Sequence, residues 1–298
     1  MDSWIAVDWG TSNLRAWRML GRQAGEERAS DEGMGKLAPA EFEGALLRLI
    51  GTWLGDGVTP VMACGMVGAK QGWQEAPYRA LPCVPGDGAA TMTVVTQDRR
   101  IAVRIAPGLR QDRPADVMRG EETQIAGALA LLPGFDGVIC LPGTHAKWAQ
   151  ISAGEVISFQ TFMTGEIFAL LSQTSVLRHG MAGSDWDAQA FDAGVAVTLG
   201  QPALLSAKLF SLRAEGLLHG MTPAQARARL SGLLIGAELA ATKPYWLGQR
   251  VLLVGAKALQ ASYASALAAQ GVLAEALDAA ACTLAGLTAL HLARKDVS

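Results

Sequence analysis

Asp8 closes an apolar run, Ile5 to Val7, and Gly10, Thr11, Ser12 and Asn13 follow before a second strand-like segment, Leu14 to Leu20. Glycine lets backbone approach a ligand closely. The amides and side chains of Thr, Ser and Asn can form a concave anion site. A carboxylate beside such a site suits Mg²⁺ held through water next to phosphates. This is the chemistry of a nucleotide phosphate hairpin; an ordinary polar turn with a solvated Asp8 is the alternative. The plan recurs later: "VICLPGTHAKW" repeats the apolar strand, Gly-Thr turn, basic residue and Trp of "IAVDWGTSNLRAW". Gly10 and Thr11 match Gly143 and Thr144, Arg15 roughly matches Lys147, and Trp17 matches Trp148. Two such turns suggest two related halves serving one ligand.

Two further stretches could do chemistry. In "MRGEETQIAGAL", Glu121 and Glu122 open an apolar helix. Acids are favoured there by the helix dipole, and one of them could also take a hydroxyl proton as general base. In "VLLVGAKALQ", a buried strand ends at Gly255 and Ala256. Such a turn allows backbone to lie against a planar group; a plain strand-to-helix turn is the other reading.

Other patterns carry less. "GMGKLA" at 33–38 fits a dinucleotide fingerprint, yet it follows the charged "EERASDE" and runs into Pro39, so the required buried strand is missing. No GxxxxGK[ST] occurs. His145, His179, His219 and His291 lack metal spacing, and Ser172, Ser175 and Ser184 lie in no GxSxG turn.

The elements that must position these residues belong to a chain of 298 residues, 50% hydrophobic and 17% charged, enough for two domains with sizeable cores. A net charge of −2 gives no footprint for nucleic acid or an anionic membrane. Cys64, Cys83, Cys140 and Cys282 form no CxxC pair and read as buried thiols of a cytoplasmic protein. No signal peptide is visible, and the apolar stretches 123–135 and 279–293 are short for a membrane span. Strands are expected at 4–7, 14–20, 28–30, 61–64, 94–96, 101–105, from 138, and at 251–255. Helices are expected at 41–54, 122–132, 166–177, 186–199, 202–215, from 222, at 259–270 and at 278–294. "APGLRQDRPADVMRGEE" reads as a polar loop.

Together, "VDWGTSNLRAW", "LPGTHAKW", "DVMRGEETQIAGAL", "FMTGEIFALL", "GLLIGAEL" and "LLVGAKAL" resemble the 2-dehydro-3-deoxygalactonokinases, within the actin-like, sugar-kinase and Hsp70 ATPase superfamily. The resemblance implies an α/β fold of two RNase H-like (actin-like ATPase) domains with a nucleotide cleft between them. The expected division is 1–136 completed by the C-terminal helix 278–298, and 137–277. It implies ATP-dependent phosphorylation of the 6-hydroxyl of 2-dehydro-3-deoxy-D-galactonate, with Mg²⁺, in galactonate breakdown. The rivals are a phosphatase or exopolyphosphatase, or another sugar kinase, of the same superfamily. Expected partners are ATP and a small sugar acid, with no nucleic acid or membrane; a homodimer is left open.

The resemblance also assigns residues. Asp8 becomes the metal-water anchor, Gly10, Thr11, Ser12, Asn13 and Arg15 the first phosphate site, and Gly143, Thr144 and His145 the second, with Lys147 meeting phosphate charge. Pro142 stands where much of the superfamily has an acid. Gly255 and Ala256 match the adenosine turn, and the helix with Gly232 and Gly236 its other wall. By likeness to the exopolyphosphatases, Glu121 is the expected general base, ahead of Glu122 and Asp116. The sugar acid is expected at Met66, Val67, Gly68, Pro107, Gly108, Thr164, Gly165 and Glu166, with Arg110 or Arg15 on its carboxylate and Trp73 and Tyr78 as lid residues.

Overall fold

The computed structural model describes residues 3–88 and 90–293; positions 294–298 of the expected last segment lie outside these. The chain divides into two compact units. Unit 1 comprises 1–136, 151–159 and 277–298, and unit 2 comprises 137–150 and 160–276.

Unit 1 is built on β1 (Ser3–Trp9), β2 (Leu14–Leu20), β3 (Gln23–Ser30), β4 (Thr59–Gly65), β6 (Met92–Thr93) and β7 (Ile101–Ile105), in the order β3-β2-β1-β4-β7-β6. The first three strands are antiparallel, whereas β1, β4 and β7 run parallel. Alternation sorts β1 onto two faces. Ile5, Val7 and Trp9 pack with Phe42, Leu46 and Ile50 of α1 (Phe42–Ile50). Trp4 and Ala6 join Leu287 and Leu290 of α9 (Ala279–Ala293). His291 stacks flat on Trp4, with centroids 4.2 Å apart. Behind the sheet, α2 (Glu121–Leu131) crosses α9 so closely that a Cβ on Gly127 would fall 1.7 Å from the Cys282 carbonyl oxygen.

The segment expected to be a polar loop is instead a hairpin, β8 (Gly108–Asp112) and β9 (Ala115–Met118), with β5 (Tyr78–Ala80) parallel to β8. Only Leu109 and Met118 of its paired residues carry buried apolar side chains, so the strands lack the alternation by which a sequence advertises them.

Unit 2 contributes most of a second sheet: β10 (Gly137–Leu141), β11 (Ala146–Ser152), β12 (Glu155–Phe162), β13 (Val251–Gly255) and β14 (Glu275–Asp278), in the order β12-β11-β10-β13-β14. β10 and β13 are parallel. In strand sequence the order is three-two-one-four-five, and the unit 1 sheet shares the first four positions, β3-β2-β1-β4, before β7 and β6. This repeated mixed sheet with helices is the α/β, RNase H-like plan that the resemblance implies. The remaining helices are α3 (Thr164–Gln173), α4 (Ala188–Gly200), α5 (Leu205–His219), α6 (Pro223–Ala241), α7 (Lys243–Trp246) and α8 (Lys257–Ala268). α6 begins with a capping box: the Thr222 hydroxyl accepts from the Gln225 amide while the Gln225 side chain accepts from the Thr222 amide. No single helix among the described residues is long and apolar enough to cross a membrane.

Candidate active site

In unit 1 the parallel strands β1, β4 and β7 end on the same edge, where open α/β sheets bind ligands. β1 ends with Asp8 and Trp9, and the turn 10–13 leads into β2. The Gly10 amide donates to the Asn13 carbonyl at 2.9 Å, and Thr11, Ser12 and Asn13 are exposed. The turn is braced from beneath. Met34 and Gly35 amides donate to the carbonyls of Gly10 and Thr11 at 3.0 and 2.9 Å. A Cβ on Gly33 would lie 2.2 Å from the Ser12 carbonyl carbon. "GMGKLA" is therefore a cradle for the hairpin, which accounts for its glycines.

Asp8 and Arg15 face each other across β1 and β2 with N to O 2.5 Å. The Cys64 thiol lies 3.9 Å from the other Asp8 oxygen, and burial pushes it well above its ordinary range. Gly65, with φ 90°, ends β4; a Cβ there would be 2.7 Å from the Trp9 carbonyl oxygen and 3.5 Å from Asp8 Oδ1. Gly120, with φ 106°, sits against Gly65, its Cβ position 3.3 Å from the Gly65 Cα. These left-handed glycines bring the start of α2 to the ends of β1 and β4.

The two glutamates there part company. Glu122 is 4% exposed and accepts from the Gly120 amide at 2.6 Å and the Thr123 hydroxyl at 3.0 Å. Burial first, and the Glu121 charge second, push its carboxyl up to about 8. Glu121 is only partly buried and accepts from the Arg119 amide at 3.2 Å. Of the paired acids, Glu121 is the one within reach of a ligand. Asp116 lies on β9 and accepts from the neighbouring Val117 amide.

Several side chains of the loops expected to hold the sugar acid are packed inside unit 1. Val67 is fully buried in the core behind β1. A Cβ on Gly68 would be 2.8 Å from Ile105, and Gly108 lies under the Tyr78 ring. Pro107 is also buried, lining with Glu122 a cavity of about 10 Å³. The side chain of Val67 cannot touch a ligand, and the glycines are required for packing; Met66 alone of these is partly exposed. Trp73 packs on Trp9 and Phe42. Tyr78 lies beneath Arg119, whose guanidinium carbon is 4.2 Å from the ring centroid. Arg119 was not singled out from the sequence. Its Nη2 donates to the Ala76 carbonyl at 2.8 Å, and its buried Nη1 has no partner.

In unit 2, the turn after β10 is held by α3. The Glu166 amide donates to the Thr144 carbonyl at 2.9 Å, and the Glu166 carboxylate meets His145 Nε2 at 2.6 Å. A Cβ on Gly165 would be 2.3 Å from the Gly143 carbonyl oxygen. Thr164, Gly165 and Glu166, expected on the sugar acid, gather around the turn of Gly143, Thr144 and His145. Lys147 is 4% exposed and donates to the His145 carbonyl at 3.3 Å, so it braces the turn from within. A Cβ on Gly255 would lie 3.0 Å from the Pro142 carbonyl oxygen.

Beside this turn opens a pocket of about 540 Å³, lined by Gly143, Thr164 and Gly165, by Phe168 and Trp186, by Arg227, Ser231 and Ile235 of α6, and by Leu259, Ser262 and Tyr263 of α8. Arg227 lies over the Phe168 ring at 5.4 Å. α6 is a wall, but Gly232 and Gly236 face elsewhere. Cβ atoms there would fall 2.1 Å from Phe191 and 2.5 Å from Val195 carbonyl oxygens, so these glycines let α4 pack closely on α6. The pocket's other wall is the body of α8, beyond Ala256.

Behind the pocket, Glu238 is buried at 2% exposure. It accepts from Trp148 Nε1 at 2.7 Å, from the Tyr263 hydroxyl at 2.9 Å, and from the Thr164 hydroxyl. Burial pushes its carboxyl up, and these three hydrogen bonds pull it back. Its sequence signal was a lone acid inside the apolar "GLLIGAELAA", since a buried acid needs partners.

No cluster of three or more His, Cys, Asp or Glu suited to a metal occurs among the described residues. Asp8 with an exposed polar turn fits Mg²⁺, which takes one or two carboxylates and completes its shell with water and phosphate oxygens.

Comparison with known proteins yields a consistent set. A family model described as 2-keto-3-deoxy-galactonokinase matches residues 8–290. A relative in Rhizobium meliloti (strain 1021), named as a probable 2-dehydro-3-deoxygalactonokinase, is 42% identical over 96% of this chain and 95% of its own. The 2-dehydro-3-deoxygalactonokinase of Escherichia coli (strain K12) is 38% identical over 90% of each. The crystal structure of a protein from Sinorhizobium meliloti, titled for the same activity, is similar with TM-score 0.90 at 40% identity, covering 97% of this chain and 96% of that one.

Proposed function

The chain belongs to the 2-keto-3-deoxy-galactonokinase family, and on that premise we propose how its residues move a phosphoryl group from ATP to the 6-hydroxyl of 2-dehydro-3-deoxy-D-galactonate. The enzyme is a sugar-acid kinase, a phosphotransferase with an alcohol as acceptor. The observation that carries the assignment of roles is the separation of Glu121 from Glu122, one open at the start of α2 and the other enclosed and pushed up to about 8.

Glu121 is the general base. The acceptor hydroxyl gives its proton to the Glu121 carboxylate as its oxygen bonds to the γ-phosphorus, and the bond to the β-γ bridging oxygen breaks to release ADP. Glu122, protonated at neutral pH, adds no second negative charge beside it. The turn of Gly10, Thr11, Ser12 and Asn13 receives phosphate oxygens, as does the turn of Gly143, Thr144 and His145. Asp8 would hold Mg²⁺ through water; the ion, when bound, neutralises charge on the phosphates. Arg15 is held tightly by Asp8 at 2.5 Å, whereas Arg110, half exposed on β8, has only a loose ion pair with Asp112 at 3.7 Å and is the candidate for the substrate carboxylate. The unit 2 pocket takes the adenosine, a role supported by its size, its apolar walls and its place beside the second turn. This reading goes with a cytoplasmic enzyme.

Glu121→Gln tests the assignment. The variant should fold normally, bind ADP as the parent does, and lose roughly 10²–10⁴-fold in kcat, the usual range for a positioned base. Retention of parental kcat would move the base elsewhere. ³¹P and ¹³C NMR of the parent's product should place the phosphate on C6.

A further inference from the structure

We propose that Glu238 is a positioning residue for nucleotide binding, one carboxylate that fixes the second phosphate turn and the pocket wall to each other within unit 2. The proposal rests on the reading of the pocket as the adenosine site.

Glu238 lies inside α6 among buried Leu234, Ile235 and Leu239. Its three donors come from three different elements. Trp148 is on β11, the strand leaving the second turn, and donates at 2.7 Å. Tyr263 is on α8 and donates at 2.9 Å. Thr164 is the first residue of α3, and its hydroxyl donates to the same Glu238 oxygen as Tyr263. The residue after Thr164 is Gly165, which sits directly on Gly143 and Thr144 of the turn. Thr164 and Tyr263 themselves line the pocket.

An ionised carboxylate only accepts, so three donors converge on it without conflict. An apolar residue of that size would leave three buried donors unpaired. The arrangement also fixes direction. With its proton given to Glu238, the hydroxyl of Thr164, a partly exposed residue lining the pocket, can offer only lone pairs to a ligand. Glutamine has the same shape, but its amide NH₂ donates. If that amide faces the two hydroxyls, both must turn, and the polarity of Thr164 toward the pocket reverses; if it faces Trp148, two N–H groups oppose each other. A brace for folding alone would not make nucleotide affinity depend on this polarity.

The test uses the full-length enzyme carrying Glu238→Gln, Thr164→Val, or both, with ADP titrated calorimetrically and steady-state kinetics alongside. Loss of one well-placed buried hydrogen bond corresponds to about a tenfold change in affinity. Each single variant should therefore raise the Kd for ADP and the KM for ATP by about that factor. KM for the sugar acid and kcat should stay within about twofold, the signature of lost nucleotide binding. The double variant should add little, because both changes break one network. An unchanged ADP Kd in both single variants, or a rise confined to the sugar-acid KM, overturns the proposal; if Glu238→Gln does not fold, Thr164→Val alone decides. Ala261→Trp, which fills the pocket from its exposed wall on α8, separates the two levels. If it leaves ADP binding intact, the pocket reading falls, and the proposal with it. If it weakens ADP binding while the network variants do not, only the role of Glu238 falls.

Discussion

Glu121 and Glu122 are adjacent in sequence, yet their surroundings give them opposite tasks. The pattern "RGEET" could only nominate both, because neighbours on a helix point about 100° apart and which one faces the interior depends on packing. Burial decides it. Glu122 keeps its proton in the folded protein up to about pH 8 but loses it near 4.5 when unfolded. Between those values the folded state binds the extra proton, so this group's contribution to stability is full below about 4.5 and is lost as pH rises through about 8. Glu122→Gln removes that titration. Its thermal midpoint relative to the parent should therefore improve steadily from about pH 5 to about pH 8, the window set by the two values. A pH-independent difference would show that Glu122 is ionised in the fold. Asp8, Arg15 and the hairpin residues could be nominated from the sequence because their types state their chemistry. Glu238, Arg119 and Tyr263 were not, because their partners lie far along the chain and only the fold brings them together.

At the scale of elements, several glycines expected to serve ligands serve packing. A ligand-facing glycine and a helix-crossing glycine look alike in sequence; what a Cβ would strike tells them apart. Gly232→Ala should lower stability by about 1–3 kcal/mol, the usual cost of overpacking, because its methyl meets the Phe191 carbonyl. The KM for ATP should not change. Gly216→Ala, in exposed α5 with nothing within 4 Å, should instead stabilise by up to about 1 kcal/mol through helix propensity. Chemical denaturation of both variants checks the pair; equal effects would contradict the account. Helices with strong caps or long apolar runs, such as α2, α6 and α9, were legible. The β8–β9 hairpin was not, since its mostly polar strands turn at Arg113 and Pro114 without a glycine signal.

Over the whole molecule, the duplicated strand-turn-strand seen in the sequence corresponds to two sheets that share the strand order three-two-one-four. That repeat was readable because Gly-Thr at a strand end followed by a basic residue and Trp is a local pattern. The substrate was not readable from residues alone. In the glycine-rich loop Met66–Gly68, Val67 belongs to the core and Gly68 packs against Ile105, and the substrate follows from the family. A kinase must also be told from a phosphatase of related plan by what it does without an acceptor.

The most direct measurement is ADP release from ATP and Mg²⁺ with 2-dehydro-3-deoxygalactonate, its gluconate epimer, plain aldoses, and no sugar. Turnover with the galactonate compound well above all the others, and almost none without a sugar, is the predicted result. Turnover only with aldoses, or steady phosphate release with no sugar present, would contradict the account.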